Sequence, residues 1–406
     1  MIELLSPAGT LEKLSYAYAY GADAAYIGMH EFSLRTRAGN IGDRDIDALR
    51  NLKGNKKLYA AVNSYLHEDD LGLLAERLAT LAAYPFDAFI VSDLGAAALL
   101  RNHFGSSRAL HLSTQANCLN SAAVAAYRDF GFSRVILGRE TPLRDIRRIK
   151  DAVPEMEIET FVHGAMCMAY SGRCFLSAFM TGRSANQGDC AHTCRWTYRL
   201  LEKEHALEEE SRPGEYFPVY EGDGYTTILS SKDLCMIDHL GSLRDAGVDS
   251  MKIEGRMKSL YYVATVTRAY RKALDALQGK PGAADWKEFR DELFRVSHRE
   301  FSTGFFFDSE HIANPTEISY LKDYLLIGTV GSAVAPGVYR LDLKNKIETG
   351  VPVEYIGPET LAIEDAGFSL EDEEGNPVAW ANHHQSVLLR TDKSVSEGFI
   401  IRKKLN

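Results

Sequence analysis

The chain is poor in cysteine, has no long apolar run and carries no excess of positive charge. Six cysteines occur in 406 residues, and no apolar stretch is long enough to cross a bilayer. Lys and Arg number 46 against 56 Asp and Glu, which gives a net charge of −10. These features exclude a membrane-spanning chain and non-specific binding of nucleic acid by the whole surface. They do not exclude a local basic groove.

The amino terminus lacks the features of a secretion signal. Met1-Ile-Glu-Leu-Leu-Ser-Pro7 has neither a basic start nor an apolar core. We therefore expect a cytoplasmic protein, in which disulfides are disfavoured. Three catalytic or cofactor signatures are missing as well: Gly-x-Gly-x-x-Gly after the first predicted strand, His-Glu-x-x-His and Gly-x-Ser-x-Gly.

Four of the six cysteines lie within 28 residues, as Cys167, Cys174, Cys190 and Cys194. The gaps of six, fifteen and three residues match neither a zinc ribbon nor a ferredoxin. Four thiolates near one point can hold a metal, and irregular spacing is compatible with a 4Fe–4S cluster. A mixed zinc site using His163 or His192, disulfides, and buried unliganded cysteines are the alternatives.

Short apolar runs alternate with helical patterns over the first 260 residues. Eight runs read as strands, and amphipathic stretches such as Leu11–Tyr20, Leu71–Ala83 and Ser121–Phe130 read as helices. This alternation predicts an α/β fold, a (β/α)8 TIM-like barrel, with a doubly wound sheet as the alternative. The eight predicted strands begin at Glu3, Ala24, Leu58, Ala88, Ala109, Arg134, Glu157 and Ser250.

The cysteine-rich segment, 159–199, is predicted to be an insertion directly after the seventh strand of a barrel domain spanning 1–260. Residues 261–322 are predicted to be a helical extension, with helices at Tyr261–Leu277 and Asp285–Val296. Residues 323–406 show short strand patterns separated by turns, which predict a small all-β barrel domain. Glu202–Glu215 is predicted to be a charged loop.

Polar residues follow several predicted strands at their carboxyl ends, where barrel enzymes carry their chemistry. We predict Arg139, His163, Glu254 and Arg256 as catalytic residues on this ground. The predicted substrate-binding residues are Arg35, Arg37, Asn63, Gln115 and Arg195. A basic stretch from Arg134 to Lys150, together with Arg195, Arg199, Lys252 and Lys258, is a candidate for contact with RNA near the same mouth. A solvated helix face is the alternative for Arg144–Lys150.

The cysteine segment, with Glu159-Thr-Phe-Val-His-Gly-Ala-Met-Cys167 and Ser171-Gly-Arg-Cys174, resembles the signature of the collagenase-like peptidase family (peptidase family U, number thirty-two). The matching stretches extend over nearly the whole chain. They include Glu3-Leu-Leu-Ser-Pro-Ala-Gly9, Ser113-Thr-Gln115, Lys252-Ile-Glu-Gly-Arg-Met-Lys258 and His298-Arg-Glu-Phe-Ser-Thr-Gly304.

The resemblance implies an iron–sulfur enzyme that hydroxylates without molecular oxygen. The branch that this chain is most similar to converts the wobble uridine of tRNA to 5-hydroxyuridine, with prephenate implicated. The four clustered cysteines match the family's cluster ligands. tRNA, prephenate and a paralogous subunit are the implied partners, and Tyr170, Trp196 and Tyr198 are candidates for stacking on an extruded base.

Two other functions stay open at this stage. The family name implies a peptidase, for which Cys118 with His111 is the one candidate pair outside the cluster. A non-catalytic binding or assembly subunit is the other alternative.

Overall fold

The structure, a computed structural model, describes residues 2–29, 32–33, 41–166, 232–280, 286–307 and 321–405, with four short strands between 206 and 227. The chain divides into two compact units. The first, which we call the barrel unit, comprises Met1–Tyr18, Ala22–Lys258 and His298–Tyr320. The second, the C-terminal unit, comprises Ala19–Gly21, Ser259–Ser297 and Leu321–Asn406. The unit that contains the β-rich carboxyl terminus thus also contains the helices of residues 259–297.

Eight parallel strands close into a barrel in the barrel unit, which confirms the predicted TIM-like fold. The first seven neighbour one another in chain order, and the eighth pairs with both the seventh and the first. The strands are β1 (Glu3–Pro7), β2 (Ala24–Gly28), β3 (Lys57–Val62), β4 (Ala88–Val91), β5 (Ala109–Leu112), β6 (Arg134–Ile136), β7 (Glu157–Ala165) and, after five shorter strands, β13 (Ser250–Ile253). Their residues are almost all buried, as expected where helices cover the outer face of a parallel sheet.

Helices connect the strands of the barrel. They are α1 (Leu11–Ala19), α2 (Ile46–Lys53), α3 (Glu68–Ala83), α4 (Leu94–Phe104), α5 (Ser121–Phe130), α6 (Leu143–Ala152) and α7 (Leu240–Asp245). Helix α3 begins three residues before the predicted start. Its first turn is acidic, and the Asp70 carboxylate accepts a hydrogen bond from the His67 backbone N–H at 2.8 Å, which caps the amino end.

Strand β7 is longer than its neighbours and carries the sheet beyond the barrel. Its last residues pair antiparallel with β12 (Asp233–Cys235), which pairs in turn with β14 (Phe301–Ser302). The sequence did not predict this extension, because runs of two or three residues carry no periodicity.

Four short strands lie between β7 and β12. They are β8 (Ala206–Glu208), β9 (Tyr216–Pro218), β10 (Tyr220–Gly222) and β11 (Tyr225–Thr227). Strand β8 pairs with β9, and β10 pairs with β11. The prediction of a loop over Glu202–Glu215 is therefore wrong at Ala206–Glu208. There backbone pairing overrides the polar composition of the segment.

The C-terminal unit combines two helices with an eight-stranded antiparallel sheet that forms a half-barrel, which confirms the predicted small β domain. The helices are α8 (Leu260–Leu277) and α9 (Trp286–Asp291), close to the predicted ranges. The sheet has β19 and β21 at its ends. The strands of this unit are β15 (Tyr324–Ala335), β16 (Val338–Leu343), β17 (Ile347–Glu348), β18 (Val353–Ile356), β19 (Ile363–Asp365), β20 (Ser369–Glu371), β21 (Pro377–Val378), β22 (Trp380–Ala381), β23 (Leu388–Arg390) and β24 (Ile400–Lys404).

A buried carboxylate joins the helices of the C-terminal unit to its sheet. Glu292, which follows α9, forms ion pairs with Arg402 on β24 and with Arg268 on α8. Arg268 also donates to the carbonyl of Gly357 at 2.6 Å. All three charged side chains are almost fully buried, so the pairing is needed to offset their desolvation. Among the described residues, no helix combines the length and the apolar character that a membrane span requires.

Candidate active site

The barrel interior contains four charged side chains that pair with one another toward the amino ends of the strands. We call this group the lower layer: Glu3, Arg134, Glu159 and Lys252. The Arg134 guanidinium lies 2.6 Å from the Glu3 carboxylate and 3.1 Å from that of Glu159. The Lys252 ammonium lies 3.0 Å from the second oxygen of Glu159. Each of the two carboxylates therefore has a buried cation as its partner.

Hydrogen bonds from neutral groups complete the lower layer. Tyr59 donates to Glu3 at 2.7 Å, and Ser250 donates to it at 2.9 Å. Burial alone would raise the pKa of Glu3, but Arg134 and these donors outweigh burial and lower it. Burial lowers the pKa of Lys252, with the opposing effect of Glu159 only partly compensating. This layer has the properties of a structural element.

The structure corrects the predicted basic surface. Arg134 and Lys252 lie inside the barrel, where they cannot contact a macromolecule. Arg144 and Arg148 are exposed on α6, whereas Lys150 is held 2.8 Å from Asp249. The sequence pattern grouped buried and exposed basic residues together, because it does not show which side of a strand each one occupies.

A second group of charges lies at the carboxyl ends of the strands, and we call it the mouth cluster: Arg139, Glu254 and Arg256. Arg139 lies 3.6 Å from the Glu254 carboxylate, a longer separation than those of the lower layer. Its guanidinium carbon also lies 3.8 Å from the centre of the Phe161 ring. The aromatic face and the carboxylate together orient the guanidinium, which is the group best suited to bind a carboxylate through two hydrogen bonds.

Arg256, which follows β13, reaches past the neighbouring strand β1 to the end of β2. A methyl group at Gly28, the last residue of β2, would fall inside van der Waals distance of the Arg256 guanidinium and of the Ser33 hydroxyl. Gly28 therefore leaves the space that the arginine side chain occupies. The Arg256 carbonyl in turn accepts from the Lys13 ammonium at 3.5 Å. Three of the four predicted catalytic residues thus lie at one edge of the barrel.

The structure places the fourth, His163, in a different group. The pairing of β7 with β13 shifts register between Lys252 and Ile253, so that Ile253 lies opposite His163 and the alternation along β7 is broken. Gly164 follows with φ of +108°, a conformation that glycine permits. His163 contacts Phe301 on β14, with ring centres 5.3 Å apart, and Phe301 stacks on His298.

The His163 group is held by a buried ion pair. Asp233 on β12 lies 2.9 Å from the Arg299 guanidinium and also accepts from the Arg299 backbone N–H at 3.2 Å. Burial lowers the pKa of His163 to about 3, more than Asp233 raises it, so its imidazole is neutral near pH 7. Asp233 and Arg299 were not predicted. The stretch from His298 to Gly304, which resembles the family's sequence, was the available signal for Arg299.

The turn after β5 is the third feature of the mouth. Thr114–Ala116 form one turn of 3-10 helix, and Asn117 ends it in the left-handed conformation with φ of 51°. Gln115 is 9% exposed, and its side-chain oxygen is buried without a hydrogen-bond donor. Asn63 directly follows β3 at the same edge and is half-buried, and its carbonyl accepts from the Ser92 hydroxyl at 3.3 Å.

The remaining predicted residues of the site lie outside the described residues. They are the four clustered cysteines, Arg35, Arg37, Arg195 and Arg199, with His192, Tyr170, Trp196 and Tyr198. Strand β7 ends at Ala165, two positions before Cys167. Within the described part of the chain, no three His, Cys, Asp or Glu side chains are arranged to hold a metal.

Cys118, the candidate nucleophile of a peptidase, is 2% exposed. Burial raises the pKa of its thiol to about 11, whereas catalytic cysteines have thiol pKa values below the ordinary one. His111 is also buried, and desolvation together with Arg134 and Lys252 lowers its pKa well below the usual value. Both residues have the environment of core side chains.

The fold and the mouth define a barrel protein of a known family: the chain belongs to peptidase family U32. The family's model matches residues 9–315, and that of the family's C-terminal domain matches residues 322–402.

Among its relatives is "tRNA hydroxylation protein P" of Escherichia coli, 41% identical over 75% of this chain and 74% of the relative. "tRNA hydroxylation protein P1" of Bacillus subtilis is 36% identical over 99% of this chain and 94% of the relative. A protein named "Collagenase" from Porphyromonas gingivalis is 32% identical over 75% of this chain and 73% of the relative.

Proposed function

We propose that this protein is an enzyme that hydroxylates the wobble uridine of tRNA to 5-hydroxyuridine, without molecular oxygen and in dependence on prephenate. The observation that carries the proposal is the similarity to relatives named for tRNA hydroxylation, one of which spans 99% of the chain. A paralogous subunit is proposed as a further partner. The net change replaces the C5–H bond of uracil by a C5–OH bond, which requires an oxygen donor other than O2 and an acceptor for the two electrons that the base loses.

Cys167, Cys174, Cys190 and Cys194 are proposed to hold a 4Fe–4S cluster. Four thiolates are the donor set that such clusters use, and the end of β7 at Ala165 supports a position of the cluster at the mouth. When bound, a cluster with four cysteine ligands supplies electron transfer. Cys118 and Cys235 lie outside this set.

The mouth cluster is proposed to bind the carboxylates of prephenate. Arg139 presents a guanidinium whose direction is set by Glu254 and Phe161, and Arg256 presents a second one at the end of β2. Two guanidinium groups at one edge match a small molecule with two carboxylates. In this proposal Glu254 acts through Arg139 and is a positioning residue.

The test begins with protein purified without oxygen. Iron, acid-labile sulfide and the visible spectrum are measured, and then 5-hydroxyuridine is quantified by mass spectrometry after incubation with unmodified tRNA and prephenate. We expect about four iron and four sulfide per chain. Cys167→Ala is expected to lose the cluster and the product while keeping its circular dichroism spectrum. Cys118→Ala, the matched control, is expected to keep both. Zinc in place of iron, or product formed by Cys167→Ala, would contradict the proposal.

Peptide hydrolysis is the second candidate, favoured by the relative named "Collagenase". The buried Cys118 thiol with its raised pKa is unfavourable for it. Digestion of gelatin by metal-free protein, abolished in Cys118→Ala, would support this candidate. The remaining candidate, a binding or assembly subunit without activity, requires that Cys167→Ala leave hydroxylation by the whole complex unchanged.

A further inference from the structure

Two amide side chains of the β5 turn have buried oxygens without a donor. The Gln115 Oε1 and Asn117 Oδ1 atoms are both enclosed, and neither accepts a hydrogen bond. Buried polar atoms of a native protein are nearly always paired, so an unpaired acceptor at the mouth of a barrel indicates a missing donor. Two such acceptors on one turn indicate a ligand that brings donors of its own.

The turn is rigid before any ligand arrives. The Ser113 hydroxyl accepts from the Gln115 backbone N–H at 3.3 Å, and the Asn117 amide donates to the Gln115 carbonyl at 3.3 Å. The side-chain nitrogen of Asn117 is thus engaged within the turn, while its oxygen is left without a donor. These bonds fix the backbone of the turn at Gln115 and the direction of the Asn117 amide, as a recognition site requires.

Two hydrogen bonds tie this turn to the loop that carries Arg139. Thr114 donates its hydroxyl to the Leu137 carbonyl at 3.1 Å, and the Gly138 N–H donates to the Cys118 carbonyl at 3.2 Å. Gly138 directly precedes Arg139. The amide oxygens and the guanidinium group therefore lie on neighbouring loops of the mouth and form two zones of different chemistry.

The two zones select different ligands. Carboxylates have only acceptors when ionised, so they satisfy Arg139 and cannot satisfy the oxygen of Gln115. The Watson–Crick edge of uracil has the N3–H donor next to the O4 acceptor, and the Gln115 amide has the matching acceptor and donor side by side. We propose that Gln115, supported by Asn117, binds the N3–H and O4 edge of the target uracil. This inference rests on the proposed function and assigns the base-reading part of the same site.

Three anticodon stem-loop RNAs test the inference. They carry uridine, 3-methyluridine or cytidine at the wobble position and are otherwise identical. 3-Methyluridine lacks the N3–H donor, and cytidine has an acceptor at N3. We expect the wild-type protein to show a KM for the uridine RNA about tenfold to a hundredfold lower than for the 3-methyluridine RNA. Gln115→Met is expected to raise the KM for uridine to that of 3-methyluridine while the KM for prephenate stays unchanged.

Gln278→Met is the matched control, because it makes the same change at an exposed amide on the C-terminal unit. It is expected to discriminate as the wild type does. A Gln115→Met protein that folds, judged by its melting temperature, and still discriminates between the first two RNAs would overturn the inference. If the wild type forms no 5-hydroxyuridine, the proposed function fails. Fluorescence anisotropy with the same three RNAs then decides the role of Gln115, since equal Kd values for wild type and Gln115→Met would refute it.

Discussion

Charged side chains occupy two levels of the same barrel, and their partners differ. In the lower layer, the ion pairs of Arg134 and Lys252 span 2.6 to 3.1 Å. At the mouth, Arg139 and Glu254 are 3.6 Å apart. Short ion pairs between buried groups hold strands together, whereas charged groups at the carboxyl ends of barrel strands lie where ligands bind. Substitutions at the two levels should therefore affect different measurements.

The largest effect is expected at Arg134. Replacement by Met removes the cation that Glu3 and Glu159 share and leaves two buried carboxylates with less compensation. We expect the free energy of unfolding to fall by about 3–5 kcal/mol, measured by urea denaturation. Arg128→Met is the control, because Arg128 forms its ion pairs on the surface, and it is expected to leave the free energy nearly unchanged. Equal effects of the two substitutions would remove the distinction between the levels.

Acid should weaken the protein before its carboxylates titrate. His163 is neutral in the folded state, with a pKa of about 3, and His111 is shifted in the same direction. In the unfolded chain both take up a proton below about pH 6.5. The unfolded state then binds more protons than the folded state. The free energy of unfolding therefore decreases as the pH is lowered, by up to about 1.4 kcal/mol per pH unit for each histidine.

Substitution of His163, and measurement over two ranges of pH, separate the contribution of the histidines from that of the carboxylates. His163→Gln should roughly halve the slope between pH 6.5 and 5, measured by urea denaturation at each pH. Below about pH 4.5 the loss should steepen, because Glu3 and Asp233 have folded pKa values below their ordinary ones, so their stabilising charge disappears as they are protonated. A flat curve down to pH 5 in the wild type would contradict the neutral, buried state of the histidines.

Arg139→Lys should affect binding at the mouth with little effect on folding. Lysine keeps the charge but loses the planar fork that faces Glu254 and Phe161. We expect the KM for prephenate to rise about tenfold to a hundredfold, while the free energy of unfolding changes by less than about 1 kcal/mol. A large loss of stability with an unchanged KM would assign Arg139 to the structural set.

Gly28→Ala should disturb Arg256 without changing the arginine itself. The added methyl group competes with the guanidinium for one space, and a flexible side chain can move away. We expect a several-fold loss of kcat/KM and a loss of stability of about 1 kcal/mol or less. Gly72→Ala, on α3 where a methyl group meets no neighbour, is the control for a glycine replacement and should retain activity. Full activity of Gly28→Ala would show that the position of Arg256 is unimportant.

The smallest effect is expected at Cys118. Its buried thiol, with a pKa of about 11, should react with iodoacetamide at pH 7.5 far more slowly than a free cysteine does. Mass spectrometry of peptic peptides gives the extent of alkylation, and denatured protein supplies the fast reference. Rapid alkylation of Cys118 in the folded protein would restore it as a candidate nucleophile.

The barrel could be predicted because its strands are buried on both faces and alternate with amphipathic helices. All eight predicted strands occur, and β5 begins at the predicted residue, Ala109. The positions of Arg139, Glu254 and Arg256 followed from one rule, that the carboxyl ends of parallel strands meet at one edge. Such rules depend on spacing along the chain, which the sequence displays directly.

The direction of His163 could not be predicted, because it depends on a change of register between β7 and β13. A bulge is set by the fit of two strands that are far apart in the chain, and it leaves no periodic pattern. The lower layer was missed for a related reason: Glu3, Arg134 and Lys252 come from three distant strands. Their pairing depends on closure of the barrel, which no local pattern records.

Closure of the barrel also has a consequence for synthesis of the chain. Strand β1 finds one of its two neighbours, β13, only after some 250 residues have been made, since Glu3 pairs with Ser250. Until then the first strand has an open edge during translation, and contacts of such long sequence separation form slowly. Strand β14 of the barrel unit follows α8 and α9 of the other unit. Folding on the ribosome must therefore interleave the two units, and nascent chains released before residue 302 should be substrates for chaperones.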